Sequence, residues 1–422
     1  MRQVLTRRFL IVPALVLVIS APAVLVGVQA PSGTTVFEGA RLIVGDGQPP
    51  IEAGAVVVTG ARIVWVGRAA DMKAPPGATR VSLTGKTVMP ALVDTHTHLS
   101  QTREALTDDL RRRAYYGVSA AMSLGQDGGE LPFQMRAQTL PGAARFFTAG
   151  RGITMPEPGR SDVPYWINNA DDGRKAIQEL AAQKVDIVKI WVDDRDGKYK
   201  KLTPELYAPI IEEAHKRGLR VTAHIFTLDD AKGLLRAGID AFAHGVRDRD
   251  IDEEGLALFK KRTNVVVVPN LPDRGVKTDV GWLRDSLSEA EFKKLQAGAM
   301  DRPALQAPFG IQARNLARLS AAGVRIALGT DGNTPWGAHL EMADMVASGM
   351  TPMQVIVAAT RNSAEFLRMN DAGTLAANRS ADFIVLDANP LDDIANTRRI
   401  SSVYLRGAAV DRTAARLASA GR

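Results

Sequence analysis

Apolar residues run along this chain in two rhythms. Near the front, Val36-Phe37-Glu38, Ala40-Arg41-Leu42-Ile43-Val44, Ala55-Val56-Val57-Val58 and Arg62-Ile63-Val64-Trp65-Val66 are short alternating segments between Gly and Pro turns. They predict a small antiparallel β unit. The texture returns at residues 381–386 and 402–407, so the two ends are expected to build one β domain together. Between them lie eight apolar runs of strand length, centred on residues 88–94, 118–124, 144–149, 185–192, 219–225, 239–243, 265–269 and 324–329. Longer amphipathic stretches separate the runs, such as 171–183 and 203–217, the second behind a Thr203 cap. Such alternation predicts βα units around a parallel sheet. Eight units over residues 88–367 fit the roughly 250-residue size of a closed barrel. A doubly wound open sheet would want a glycine-rich turn after its first strand, and Asp94-Thr95-His96-Thr97-His98 stands there instead. The expected fold is α/β: a (β/α)8 TIM barrel over residues 87–370, with a small β-sandwich domain formed by the N- and C-terminal segments, residues 31–86 and 371–422.

Residues 1–30 belong to neither rhythm. Arg2, Arg7 and Arg8 precede an apolar run from Phe9 to Val28 that ends in Val28-Gln29-Ala30, the layout of a cleaved signal peptide. An uncleaved anchor is the alternative, because the run nears the ~20 residues that span a bilayer. Pro13, Pro22 and the small-residue end favour removal, so the protein is expected to be exported, periplasmic or secreted, with no membrane attachment afterwards. Thr6-Arg7-Arg8-Phe9-Leu10 partly matches a twin-arginine signal, which would suit export of a protein already folded around metal.

The formal net charge of +7 includes those three arginines, and the remainder is too mild to argue for a nucleic-acid partner. The chain has no cysteine, so disulfides are excluded. A metal site would have to draw on the 6 histidines, on carboxylates and on lysine-derived ligands. The pattern does not fix an oligomeric state and leaves a homo-oligomer open.

Every candidate ligand falls at the C-terminal end of one of the eight runs, where barrel active sites are assembled. His96 and His98 follow the first, and alternate residues of an extended segment face one way, so both imidazoles could reach one ion. His224 ends the fifth run, His244 the sixth and Asp331 the eighth. A carboxylate at the edge of an apolar strand needs a metal or a proton to compensate it. Lys189 lies inside the fourth run, Val185-Asp186-Ile187-Val188-Lys189-Ile190-Trp191. It could snorkel to the barrel mouth or lose its charge on burial. A neutral amine could also take up carbon dioxide as a carbamate that bridges two ions, and sequence chemistry alone does not choose. Two residues are weaker candidates for substrate contact. His339 could touch substrate or orient Asp331, or simply start a helix. Arg247 could pair with a substrate carboxylate, against a surface salt bridge with Asp248 or Asp250.

Beyond the expected leader, the whole chain resembles the amidohydrolase superfamily nearly end to end, in particular its imidazolonepropionase-like and Xaa-Pro or Xaa-Arg dipeptidase branch. The resemblance is carried by Gly39-Ala40-Arg41-Leu42-Ile43-Val44-Gly45-Asp46-Gly47, Pro90-Ala91-Leu92-Val93-Asp94-Thr95-His96-Thr97-His98, Ala243-His244-Gly245, Gly329-Thr330-Asp331, Ala359-Thr360-Arg361-Asn362 and Ala381-Asp382-Phe383-Ile384-Val385-Leu386-Asp387. Ala91 departs from it, standing where such enzymes often have glycine. The resemblance implies two divalent metal ions, with zinc the expected metal. His96, His98 and Asp331 would hold one, His224 and His244 the other, and a carbamate on Lys189 from CO2 would bridge them.

Two ions sharing a water would lower its pKa and polarise a scissile carbonyl. Asp331 would be the general base, taking the proton and delivering it to the leaving nitrogen. The expected function is hydrolysis of a carbon–nitrogen bond in a small amide such as a dipeptide or N-acyl amino acid. Cyclic amide hydrolysis or heterocycle deamination is the alternative, and a non-catalytic exported binding protein a third. The loops at 151–169 and 271–308 are expected to shape the substrate pocket.

Overall fold

Pro90 divides the first apolar run between two sheets. In the computed structural model, which describes residues 33–413, Thr87–Pro90 pairs antiparallel with Phe383–Leu386, whereas Leu92–Thr97 enters a parallel sheet. The run expected as one strand at 88–94 is therefore two, with buried Ala91 at the junction. Proline offers no amide hydrogen to continue a ladder, which suits a strand end. The predicted leader at residues 1–30 lies outside the described residues.

Strands from both ends of the chain share one sheet. Its order is Ala408–Ala409, Ile400–Leu405, Phe383–Leu386, Thr87–Pro90, Thr34–Leu42, Ile51–Thr59 and Arg62–Arg68, and Thr79–Ser82 also pairs with Thr34–Leu42. Where a sandwich of two sheets is expected, hydrogen bonds join all eight strands into one. Phe37 and Tyr404 are separated by two intervening strands, yet their rings lie 4.8 Å apart, and Phe383 stacks on Tyr404 at 4.7 Å. A flat sheet would hold such rings roughly 14 Å apart at about 4.8 Å per strand. The sheet must curl over a core of its own, made of Phe37, Val56, Ile63, Val88, Phe383 and Val385.

The middle of the chain supplies eight parallel strands: β1 Leu92–Thr97, β2 Val118–Ser123, β3 Arg145–Thr148, β4 Val188–Val192, β5 Val221–Ile225, β6 Ala241–Phe242, β7 Val266–Val267 and β8 Arg325–Ile326. β1 to β3 form one sheet and β4 to β8 another, to whose edge the short strands Ile153–Thr154 and Tyr165–Trp166 are added. Backbone hydrogen bonds also run between the two sheets. Asp186 N donates to Thr148 O at 3.1 Å, Thr95 N to Leu328 O at 2.9 Å and Thr330 N to His96 O at 3.0 Å.

Period-2 alternation then decides what stands above the inner core. Val93, Ala120, Met122, Ile187, Ala241, Val266, Val268 and Ala327 pack together in one buried cluster. Two residues beyond Ile187 comes Lys189, two beyond Val268 comes Asn270, and four beyond Ala327 comes Asp331. Alternate residues of an extended segment share a face, so Lys189 projects on the side that Ile187 fills, whereas Asn270 and Asp331 leave the extended conformation at φ +46° and +53°. In β1 the register shifts between Asp94 and Thr97, which turns His96 and His98 onto that side although Val93 is of the opposite parity. Among the described residues, no helix is long and apolar enough to cross a membrane.

Candidate metal centre

Asp331 is the point on which the histidines converge. Its Oδ1 lies 3.1 Å from His96 Nε2 and 3.0 Å from His98 Nε2, and its Oδ2 lies 3.5 Å from His244 Nε2. Donor atoms that hold one ion at about 2 Å stand roughly 3 to 3.5 Å from one another, so the first three fit a single small divalent ion. His224 sits against His244, with ring centroids 4.4 Å apart. Asp331 keeps 37 % of its side chain open, which leaves it reachable from the mouth, whereas His96 and His244 are each only 1 % exposed.

The backbone fixes this arrangement. Asp331 adopts a left-handed conformation, φ +53°, tolerable for a short polar residue, and its amide donates to His96 O at 2.8 Å. Thr330 donates through its hydroxyl to Asp94 at 2.8 Å, tying β8 to β1 again. Gly329 has to be glycine: a Cβ there would stand 2.5 Å from Val268 Cγ1 and 2.8 Å from His96 Cβ.

Partners on the far nitrogens settle the tautomers. His96 Nδ1 is 2.9 Å from Asn270 Oδ1, an acceptor, so Nδ1 carries the proton and Nε2 keeps its lone pair. His224 Nε2 lies 2.8 Å from Asp193 Oδ2 and 3.1 Å from Arg195 Nη1. Arg195 only donates and is itself 2.7 Å from Asp193, so the consistent assignment is that both nitrogens donate to the carboxylate, leaving His224 Nδ1 as the free acceptor. Burial, then Lys189, hold His96 down at about 4; burial holds His224 at about 3 and His244 well below the usual range. The imidazoles of His96, His224 and His244 are thereby held neutral at pH 7, the form that binds metal. Burial resists ionisation of Asp331, but the imidazoles that face it more than offset this and hold its carboxyl well below the usual carboxylate range.

Lys189 is fully buried, and its Nζ has no hydrogen-bond partner. Burial, opposed by Asp331, lowers its pKa to about 7, so much of the amine is neutral and nucleophilic near neutrality. Gly125 makes room for it, since a Cβ there would meet Lys189 Cγ at 2.7 Å. Besides Lys189 Nζ, the buried atoms His96 Nε2, His98 Nδ1 and His244 Nδ1 also lack hydrogen bonds. His96 Nε2, left without a hydrogen bond and grouped with His98 and the Asp331 carboxylate, is a donor set that fits a divalent cation.

For two residues the structure bears on alternatives that the sequence left open. His339 does not reach this cluster: its Nδ1 bonds Thr397 Oγ1 at 3.0 Å and its Nε2 bonds Tyr116 O at 2.9 Å. With its pKa lowered by burial to about 4 it is neutral, and both nitrogens are committed to tying helix Gly337–Ala347 to neighbouring segments, so none is left for substrate or for Asp331. Arg247 makes no salt bridge with Asp248 or Asp250. Asp248 pairs with Arg249 and accepts from Leu228 N, and Asp250 pairs with Arg314. Sequence reasoning missed Asn270, Asp193 and Arg195. The same rule that found the histidines would have found Asn270 and Asp193, since each follows a strand end.

The description of the amidohydrolase family matches residues 87–410. Imidazolonepropionase of Deinococcus radiodurans is 27 % identical over 392 residues, covering 85 % of this chain and 92 % of that relative. Ochratoxinase of Aspergillus niger is 25 % identical over 435 residues, covering 88 % and 85 %. Among solved structures, a Xaa-Pro dipeptidase with bound methionine in its active site superposes with a TM-score of 0.70 at 21 % identity, covering 89 % of this chain and 99 % of that one. Molinate hydrolase does so with a TM-score of 0.72 at 21 % identity, covering 91 % and 96 %. At such identities the structural likeness speaks to the fold, while the family match spans more than half of the sequence, and the chain belongs to the amidohydrolase family.

Proposed function

We propose that this protein is a metal-dependent hydrolase of a carbon–nitrogen bond in a small amide such as a dipeptide or N-acyl amino acid. The observation that carries the reading is the convergence of His96, His98 and Asp331 on one point, with His244 beside them and an unpartnered Lys189 buried nearby. In this reading the two parallel sheets close into an eight-stranded barrel, an inference supported by the hydrogen bonds from Asp186 to Thr148 and from Thr95 to Leu328. Residues 31–86 and 371–422 would form the small β domain beside it, and residues 1–30 a leader that directs the protein out of the cytoplasm.

His96, His98 and Asp331 would hold one divalent ion, probed first as zinc, and His224 and His244 a second, with Lys189 as its carbamate between them. Bound there, such ions supply Lewis acidity to a scissile carbonyl and a water of lowered pKa. The chain's own residues do the rest. Asp331 Oδ2 is free of the two β1 histidines and, being ionised and open to the mouth, can accept a proton from the attacking water and return it to the leaving nitrogen. Asn270 and Asp193 hold His96 and His224 in the required tautomers.

Zinc-loaded protein is expected to release free amine from members of a panel of dipeptides and N-acyl amino acids. Chelation should abolish turnover and added zinc restore it. A panel on which metal-loaded protein stays inert would overturn the reading. Similarity to imidazolonepropionase favours a second reading, opening of a cyclic amide, which the same panel tests when lactams and imidazolones are included.

A further inference from the structure

Arg247 is a half-buried cation that no described carboxylate contacts directly. It lies three residues beyond His244, and its amide donates to Phe226 O at 2.9 Å, two residues beyond His224. Its backbone is thereby pinned between the ends of β5 and β6, at the mouth that holds the candidate metal ligands. The side chain is half-buried, its Nε is sealed from solvent with no hydrogen-bond partner, and its guanidinium makes no ion pair with any described residue.

Nearby carboxylates are committed elsewhere. Asp193 serves His224 and Arg195, Asp248 serves Leu228 N and Arg249, and Asp250 serves Arg314. Arg195, the other arginine at this edge, is compensated by Asp193 and approaches Glu157 at 3.4 Å. Asp331 and Asp193 favour the charge of Arg247 from a distance, but neither is in ion-pair contact with it. A guanidinium withdrawn from water without a contacting counter-ion is costly, and its planar fork matches a carboxylate bidentately. Phe226, 36 % exposed beside it, offers an apolar surface to the body of a molecule whose acid group the arginine holds.

We propose that Arg247 is the receptor for a carboxylate on the substrate, so that the enzyme selects amides bearing a free acid group. The inference rests on the proposed amide hydrolysis and narrows its substrate class. An amide with a carboxylate near the scissile bond would dock its acid on Arg247 and its apolar portion on Phe226, and the neutral counterpart would leave the guanidinium desolvated and unpaired.

The test compares N-acetylphenylalanine with N-acetyl-2-phenylethylamine, which lacks only the carboxylate, on zinc-loaded protein. The acid is expected to show a kcat/KM about 100-fold higher, and in Arg247→Met that ratio should fall towards one, with Arg247→Lys intermediate. A wild-type ratio near one, or a ratio kept in Arg247→Met, overturns the proposal, because an arginine that only supports the ligands would lower both amides together. Calorimetric binding of 3-phenylpropionate and 3-phenylpropionamide to the same proteins separates this failure from failure of the hydrolase reading. If neither amide is turned over but the carboxylate binds more tightly and loses that advantage in Arg247→Met, the receptor stands and hydrolysis falls. Equal binding of the two probes, or an advantage that survives in Arg247→Met, overturns the receptor.

Discussion

At the scale of single residues, the account turns on which nitrogen of each imidazole is free. Asn270→Ala removes the acceptor from His96 Nδ1, and metal affinity is expected to fall about 10- to 100-fold with the fold retained. Metal titration with circular dichroism alongside checks this; unchanged affinity would mean that Asn270 does not set the tautomer. Asp331→Asn should keep most bound metal and lose turnover by roughly 10²- to 10⁴-fold, as removal of a general base does. Near-normal kcat in that variant, with metal content measured on the same sample, would remove Asp331 from the chemistry. His96, His98, His224, His244 and Asp331 were legible as candidates because each stands at the end of an apolar run, whereas Lys189 lies inside one. For His339 the sequence left substrate contact and a helix start both open, because a histidine there gives no sign of its bonds to Thr397 and Tyr116, which lie far away in sequence. For Arg247 the sequence left a substrate carboxylate and a salt bridge with Asp248 or Asp250 both open, because it does not show that these aspartates are already paired with Arg249 and Arg314.

Elements were legible wherever period and length agreed. All eight parallel strands fall on the apolar runs, although β6, β7 and β8 are only two residues long by hydrogen bonding, far shorter than their runs. The double use of the first run was hidden, because apolar character continues straight through Pro90 and Ala91 from one sheet into the other. The helix Gly337–Ala347 carries a prediction of its own. Glu341 is buried, accepts from Leu271 N at 3.1 Å on both oxygens, and so pins the start of the 271–308 segment. Burial first, then the charge of Asp344, push its carboxyl well above the usual range. The folded protein thus keeps a proton that the unfolded chain loses above about pH 4.3, so this group costs stability increasingly as pH rises. Glu341→Gln removes that cost and keeps an acceptor for Leu271. Its melting temperature should exceed that of the wild type by a few degrees at pH 8 and lose the advantage at pH 4. An identical difference at both pH values would show that the carboxyl is not protonated in the native state.

For the whole molecule, a cluster of buried histidines, an aspartate and an uncharged lysine is unfavourable until something occupies it. Metal binding to the folded form alone should therefore raise stability, by about 4 kcal/mol when free metal exceeds its Kd 1,000-fold. A chelator is expected to lower the melting temperature of purified protein by several degrees, reversibly on adding zinc; a melt indifferent to chelation would mean that the cluster holds no metal. The curled terminal sheet, with Phe37, Phe383 and Tyr404 in contact, has its own core and no candidate ligand. Its curvature could not be read from alternation, which gives strands but not how a sheet bends. The central claim is a two-ion site organised around Lys189. Metal content per chain, measured by elemental analysis on protein purified with bicarbonate, tests it most directly when Lys189→Ala is measured beside the wild type. The account predicts about two ions per chain and a clear fall in the variant; one ion per chain, unaffected by loss of Lys189, would contradict it.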